Sequence, residues 1–309
     1  MPGEEDKGVC ESWTLNNSEE IWVNAVELRQ GLSSHHSNWF YVPNNKFAGP
    51  DGRWTCSDRT FDELAAALAG GVLYAQSTQA IHEVQKFPNG AAVRIPPWSQ
   101  IIGNVHFLNA SMQATTGHYH MAIYSLPVDQ VKVKLVPFHL QYLGLDIPPH
   151  EQSRFFGQCK VGEDFYAVKN SQWDLQVYYI LPHTHSLAQR FFVEQMGGAH
   201  DGQTLLDLPA YNGESHGRAY DPPVVMGDAE GFRFGCEYNN QRDVAVHWGF
   251  GDQEMCECLG FGATALSFES TVGTSAQVGT EGPMQLFTGD CSTLTFTWNF
   301  QKPGGVPPQ

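Results

Sequence analysis

Two imidazoles set two residues apart give this chain its first chemistry. In "ILPHTHSLAQ" (180–189), His183 and His185 interrupt a run that otherwise reads as buried strand. Residues i and i+2 of a strand project from the same face, so such a pair can grip one ion without distorting the backbone. His185 precedes Met255 by 70 positions, and Met255 stands between Glu254 and Cys256 in "QEMCECLGF". Imidazole suits copper, zinc, iron or nickel, whereas a thioether is a soft donor that selects Cu(I) over zinc. Two histidines and a methionine therefore read as a copper site.

A second set has the same interval. The adjacent pair His35 and His36 precedes a lone His106, again by 70 positions from the second histidine of the pair. Three histidines suit copper or zinc alike. Taken singly, each member has a plainer reading. An isolated H-x-H is more often structural, and His118 and His120 share that spacing. Adjacent histidines on a regular strand face opposite ways, so joint use of His35 and His36 requires a bulge or loop. Met255 alone reads as core filler. The constellation carries the signal.

The elements that must position these residues are strands. "EIWVNAVEL" (20–28), "AAVRI" (91–95), "HYHMAIYSL" (118–126), "VKVKLVPFHLQYL" (131–143), "LQVYYIL" (175–181), "FRFGCEY" (232–238) and "LTFTWNF" (294–300) alternate between Gly, Pro and Asn turns. Helical signal is confined to "TFDELAAALAGG", where Thr60 and Glu63 fit a capping box and Gly70 and Gly71 a stop. The pattern predicts an all-β fold of sandwich type. The duplicated spacing predicts two domains, 1–127 and 128–309, divided near "SLPVDQ" (125–130), each with one ligand set.

Composition narrows the function. Charged residues make up 16% of the 309, against roughly 25% in an average domain, while 31 glycines and 18 prolines supply turns. A net charge of -16 excludes nucleic acid, whose phosphates need Lys and Arg to displace counterions, and disfavours anionic membrane surfaces. No stretch approaches the roughly 20 apolar residues of a spanning helix, so membrane insertion is not expected. "MPGEEDKGVC" carries no apolar core of a signal peptide. Seven cysteines leave at least one outside any intrachain pair.

These residues resemble the type II, ascorbate-dependent copper monooxygenases, the family of peptidylglycine alpha-hydroxylating monooxygenase and dopamine beta-monooxygenase. "LPHTHSLAQRFFVEQ" is similar to the family's H-T-H segment, and "FGCEYNNQRDVAVHWGFGDQEMCECLGF" to its cysteine, Asn-containing loop and E-M-C element. "QGLSSHHSNWFYVP" resembles the H-H segment, and "GGVLYAQSTQAIHEVQKFPNGAAVRIPPWSQIIGNVHFLNAS" the run that ends at the lone histidine. The matches span about residues 20 to 260. The resemblance implies two antiparallel, jelly-roll-like β-sandwiches flanking a solvent cleft. It implies one copper on His35, His36 and His106 and a second on His183, His185 and Met255. It also implies a Cys236–Cys256 disulfide, and hence an oxidising, extracytoplasmic compartment, periplasmic or secreted. The pairing of Cys10, Cys56, Cys159, Cys258 and Cys291 is left open.

The implied activity is hydroxylation of an aliphatic or benzylic C–H of a small-molecule substrate, with O2 and an external reductant such as ascorbate. In that scheme the methionine site meets O2 and the all-histidine site stores an electron. Peptide-hydroxylating members carry an arginine two positions before the first H-T-H histidine, where this chain has Leu181, and an asparagine and a tyrosine where it has Glu257 and Leu259. A peptidylglycine substrate is therefore not expected. The helical insertion and the long loop "MGGAHDGQTLLDLPAYNGESHGRAYDPP" are expected to reshape the cleft. The alternative is a copper-binding protein on the same fold, used for sequestration, delivery or electron transfer without turnover. A structural sandwich with vestigial ligands comes third.

Overall fold

The computed structural model describes residues 5–31, 33–77, 80–109, 112–209, 211, 212, 214, 216–249, 251–297 and 304–307. The class is all-β. The chain forms two compact units, Met1–Leu135 with Asn299–Gln309, and Val136–Trp298. Among the described residues no helix is long and apolar enough to cross a membrane.

The first unit contains β1 (Glu5–Thr14), β2 (Ile21–Gln30), β3 (Ser34–Pro43), β4 (Gly52–Thr55), α1 (Glu63–Ala69), β5 (Gly71–Ala75), β6 (His82–Lys86), β7 (Ala91–Ile95), β8 (Ser99–Leu108), β9 (Tyr119–Leu126) and the start of β10 (Val133–Tyr142). One sheet runs β4-β1-β8-β3-β5, antiparallel throughout. Elsewhere β2 pairs antiparallel with β6, β7 and β9. The period of two sorts β3 and β8 by face. Trp39 and Tyr41 lie on one face, where Trp39 stacks on Trp13 and meets the edge of Tyr119 from β9. Its indole lies so close over Gly103 that an added Cβ would sit 2.3 Å from the ring, so β8 has glycine at that point.

The other face of the same sheet carries His36, Asn38 and Phe40 on β3 and His106, Asn104 and Ile102 on β8. Here Cys10, Phe40, Val42, Phe47, Cys56, Ala66 and Ile102 form a small separate core under the segment bearing α1. The Cys10–Cys56 disulfide ties that segment to β1. The helix starts differently from expectation. Asp62, not Thr60, is the N-cap, and its carboxylate accepts the Ala65 N–H at 2.8 Å. Thr60 instead closes the preceding 3-10 turn in the left-handed region. Asp62 directly precedes the first helical residue, so it reaches the third amide with no intervening turn.

The second unit contains the rest of β10, β11 (Asp146–Ile147), β12 (Gln152–Cys159), α2 (Val161–Lys169), β13 (Gln176–Thr184), β14 (Ala188–Met196), β15 (Thr204–Pro209), β16 (Arg218–Val225), β17 (Gly231–Asn239), β18 (Val246–His247), β19 (Cys256–Ala263), β20 (Leu266–Val272), β21 (Ala276–Glu281), β22 (Met284–Asp290) and β23 (Ser292–Thr297). Residues 298–300 of the expected last strand lie outside the described residues. One sheet joins β16, β13, β19, β10, β20 and β23, and the other runs β15-β14-β17-β12-β22-β21. Phe138, Leu140 and Phe268 from the first and Phe155, Phe191, Phe232 and Phe234 from the second bury together in one core, a sandwich. The stretch read as a long loop after Met196 supplies β15 and β16. Leu205, Leu206 and Tyr220 are buried there, and that apolar surface outweighs the turn residues around it.

Candidate metal centres

His36 and His106 stand directly opposite each other on β3 and β8. Ser34 pairs with Phe107 and His36 with His106, so His35 is the extra residue of a β-bulge. The bulge re-aims His35 toward its neighbour. One ligand nitrogen from each of His35, His36 and His106 lies within 4.8 Å of the other two, and all three side chains are buried. Three nitrogens arranged trigonally about one ion at about 2.1 Å are about 3.6 Å apart, so the triad needs about 1.2 Å of closure at most. It is the one such group of His, Cys, Asp and Glu side chains among the described residues. His118 and His120 are not drawn in. His118 lies against Gly31, and His120 is exposed on β9 opposite Arg29.

In the second unit β13 and β19 are antiparallel neighbours, with His183 opposite Glu257 and Thr184 opposite Cys256. His185 follows the paired end of β13 and Met255 precedes the paired start of β19. The two imidazole Nε2 atoms are 3.2 Å apart, inside the span one ion allows. His185 Nδ1 is 2.7 Å from the Gln253 carbonyl, which makes Nδ1 the protonated nitrogen and leaves Nε2 as the donor to a metal.

Three consecutive residues fix the strand that presents the methionine. The Glu254 carboxylate accepts the His185 N–H at 3.1 Å and the Leu187 N–H at 2.7 Å. The Met255 carbonyl accepts the Tyr238 hydroxyl at 2.8 Å. Cys256 is bonded to Cys236. Burial raises the Glu254 carboxyl to about 7, against the opposing pull of the Leu187, His185 and Met255 N–H groups.

Glu257 shares the face of Met255 and His183. Burial acts to raise its carboxyl, but the His139 and His183 imidazoles and the Trp248 indole N–H hold it down at about 2. Trp248 donates at 2.9 Å, and His139 Nε2 lies 3.8 Å away. Leu181 and Leu259, opposite each other in register, are buried.

The donor sets fit copper: imidazoles at both places, and at the second a buried methionine immediately preceding β19. The acid beside Met255 is visible in the sequence, but its role in holding the H-T-H turn is not, because the two meet only across strands. Asn38, Asn104 and Glu63, which border the first triad, left no spacing signal for the same reason.

No family model matches the chain, and no curated protein matches it. Among solved structures it is similar to one titled "Crystal structure of the T13 IBDV viral particle reveals a missing link in icosahedral viruses evolution", with 8% identity over 86% of this chain and 70% of that one and a TM-score of 0.18, a likeness that carries no argument about fold or function.

Proposed function

We propose that this protein is a copper-dependent monooxygenase of the type II, ascorbate-dependent kind, which takes two coppers and hydroxylates an aliphatic or benzylic C–H of a small substrate. One observation carries the reading. In the first unit three histidines on adjacent antiparallel strands, and in the second a histidine pair at the end of β13 across from the start of β19, bring imidazole nitrogens near the spacing of a shared ion. Copper, when bound, would supply one-electron chemistry and a place for O2 to react. The rest is done by the chain. Gln253 and Glu254 orient His185, while Tyr238 and the Cys236 disulfide hold the backbone of Met255 and its neighbour. The identities of Leu181 and Leu259, with Glu257, argue against a peptidylglycine carboxylate.

The test is ascorbate-dependent O2 consumption by copper-loaded protein, using a panel of small substrates with benzylic and aliphatic C–H bonds. Turnover that disappears in both His106→Ala and His183→Ala is the expected result; a chain that takes up no copper defeats the reading. One observation favours the alternative of a copper carrier without turnover. Glu257, at a position where peptide-hydroxylating members hold substrate, is already engaged by His139 and Trp248. Stoichiometric copper with no O2 consumption on any substrate is the outcome that selects it.

A further inference from the structure

We propose that Glu63 is a positioning residue for the ion held by His35, His36 and His106: clasped by Asn38 and Asn104, its carboxylate sets a fixed negative charge beside the triad and biases it toward the divalent ion. This rests on the copper reading of that triad.

His36 faces His106, and Asn38 faces Asn104, on the same two strands. Residues two apart share a face, so the asparagine pair forms the next rung below the histidine pair, about 6.6 Å along the strands. Glu63 opens α1, which packs over β3. Asn104 Nδ2 donates to Glu63 Oε1 at 2.7 Å and Asn38 Nδ2 to Oε2 at 3.3 Å. A carboxylate only accepts, so both amides must turn their nitrogens toward it. One acid thereby fixes two side chains that border the ligands. The helix carrying it is anchored independently, by the Asp62 cap and the Cys10–Cys56 disulfide. The whole excursion from Cys56 to Ala69 thus delivers a carboxylate to the asparagine rung next to the histidines.

Coulomb energy scales with the charge of the ion, which separates this role from simple support. Loss of the carboxylate should reduce the logarithm of affinity twice as much for Cu(II) as for Cu(I). Loss of mere packing should weaken both ions by the same factor. The His183→Ala, His185→Ala double variant isolates the triad, and copper in each oxidation state is titrated against competing chelators. Adding Glu63→Gln should lower Cu(II) affinity about tenfold, the low end of outer-shell substitutions, and Cu(I) affinity about threefold. Glu63→Asp, which keeps the charge, should restore the preference for Cu(II). Thermal unfolding of each variant verifies that it is folded. Equal losses for the two ions, no loss for either, or failure of the aspartate to restore the preference overturns the inference. If the double variant with Glu63 intact binds no copper, the triad reading itself fails and the inference falls with it.

Discussion

Glu254 does more for the second centre than its position beside Met255 announces. It is 1% exposed, and its two oxygens take the N–H groups of His185 and Leu187. Glu254→Leu leaves both amides buried without an acceptor, at about 1–3 kcal/mol each. Urea unfolding should show a loss of about 2 to 6 kcal/mol, and the copper held by His183 and His185 should fall more than that held by the other triad. Met255 is a different case, because in the copper reading its side chain would matter as a donor. Met255→Leu nearly preserves volume, so stability should change by less than about 1.5 kcal/mol. The softest ligand is gone, however, and a Cu(I) chelator should strip one copper from the variant at concentrations that leave both in the wild type. Retention of both ions would remove Met255 from the ligand set.

At the scale of elements, the bulge in β3 decides whether three histidines can meet. Deleting Ser34 would let β3 pair with β8 without the extra residue. His35 would then stand opposite Phe107, with its side chain on the face away from His36. Copper per chain should drop by one while the far-ultraviolet circular dichroism stays that of the folded protein; two coppers in the deletion variant would show that the bulge is dispensable. The bulge is also where the sequence could be read only conditionally. Adjacent histidines state a requirement for irregular backbone, but the irregularity arises from pairing with β8, some 70 residues on. Strands such as Gly231–Asn239, whose Phe232, Phe234, Cys236 and Tyr238 alternate with Arg233, Gly235 and Glu237, could be located directly because their periodicity is local. Helix α2 escaped detection, with only nine residues, two of them buried, too short for a helical period to stand out. Its markers are Glu163 and Asp164 in the first turn, Lys169 in the last and Asn170 in the left-handed stop.

Across the whole molecule, six of the seven cysteines pair as Cys10–Cys56, Cys159–Cys291 and Cys236–Cys256. Cys258 is left as a buried thiol, its ionisation suppressed by burial. Native, unreduced protein should therefore resist alkylation, and denatured, unreduced protein should take up one equivalent; three reactive thiols in the denatured state would mean that one bridge is open. The pairs close 46, 132 and 20 residues of sequence, each worth about 3 to 5 kcal/mol in the chain-entropy model. Two of them lie in the second unit, so reduction should lower its unfolding temperature more than that of the first unit. Tryptophan fluorescence of Trp173 in one unit and Trp39 in the other, kept singly, separates the two transitions. The Cys236–Cys256 bridge has a consequence in time as well as in energy. It fastens the residue next to Met255 to a strand of the opposite sheet, so until the thiols have been oxidised the thioether is held only by the Glu254 and Tyr238 contacts. In the copper reading, oxidation before metallation would therefore favour the second centre, and a chain held in a reducing environment should bind that ion more weakly.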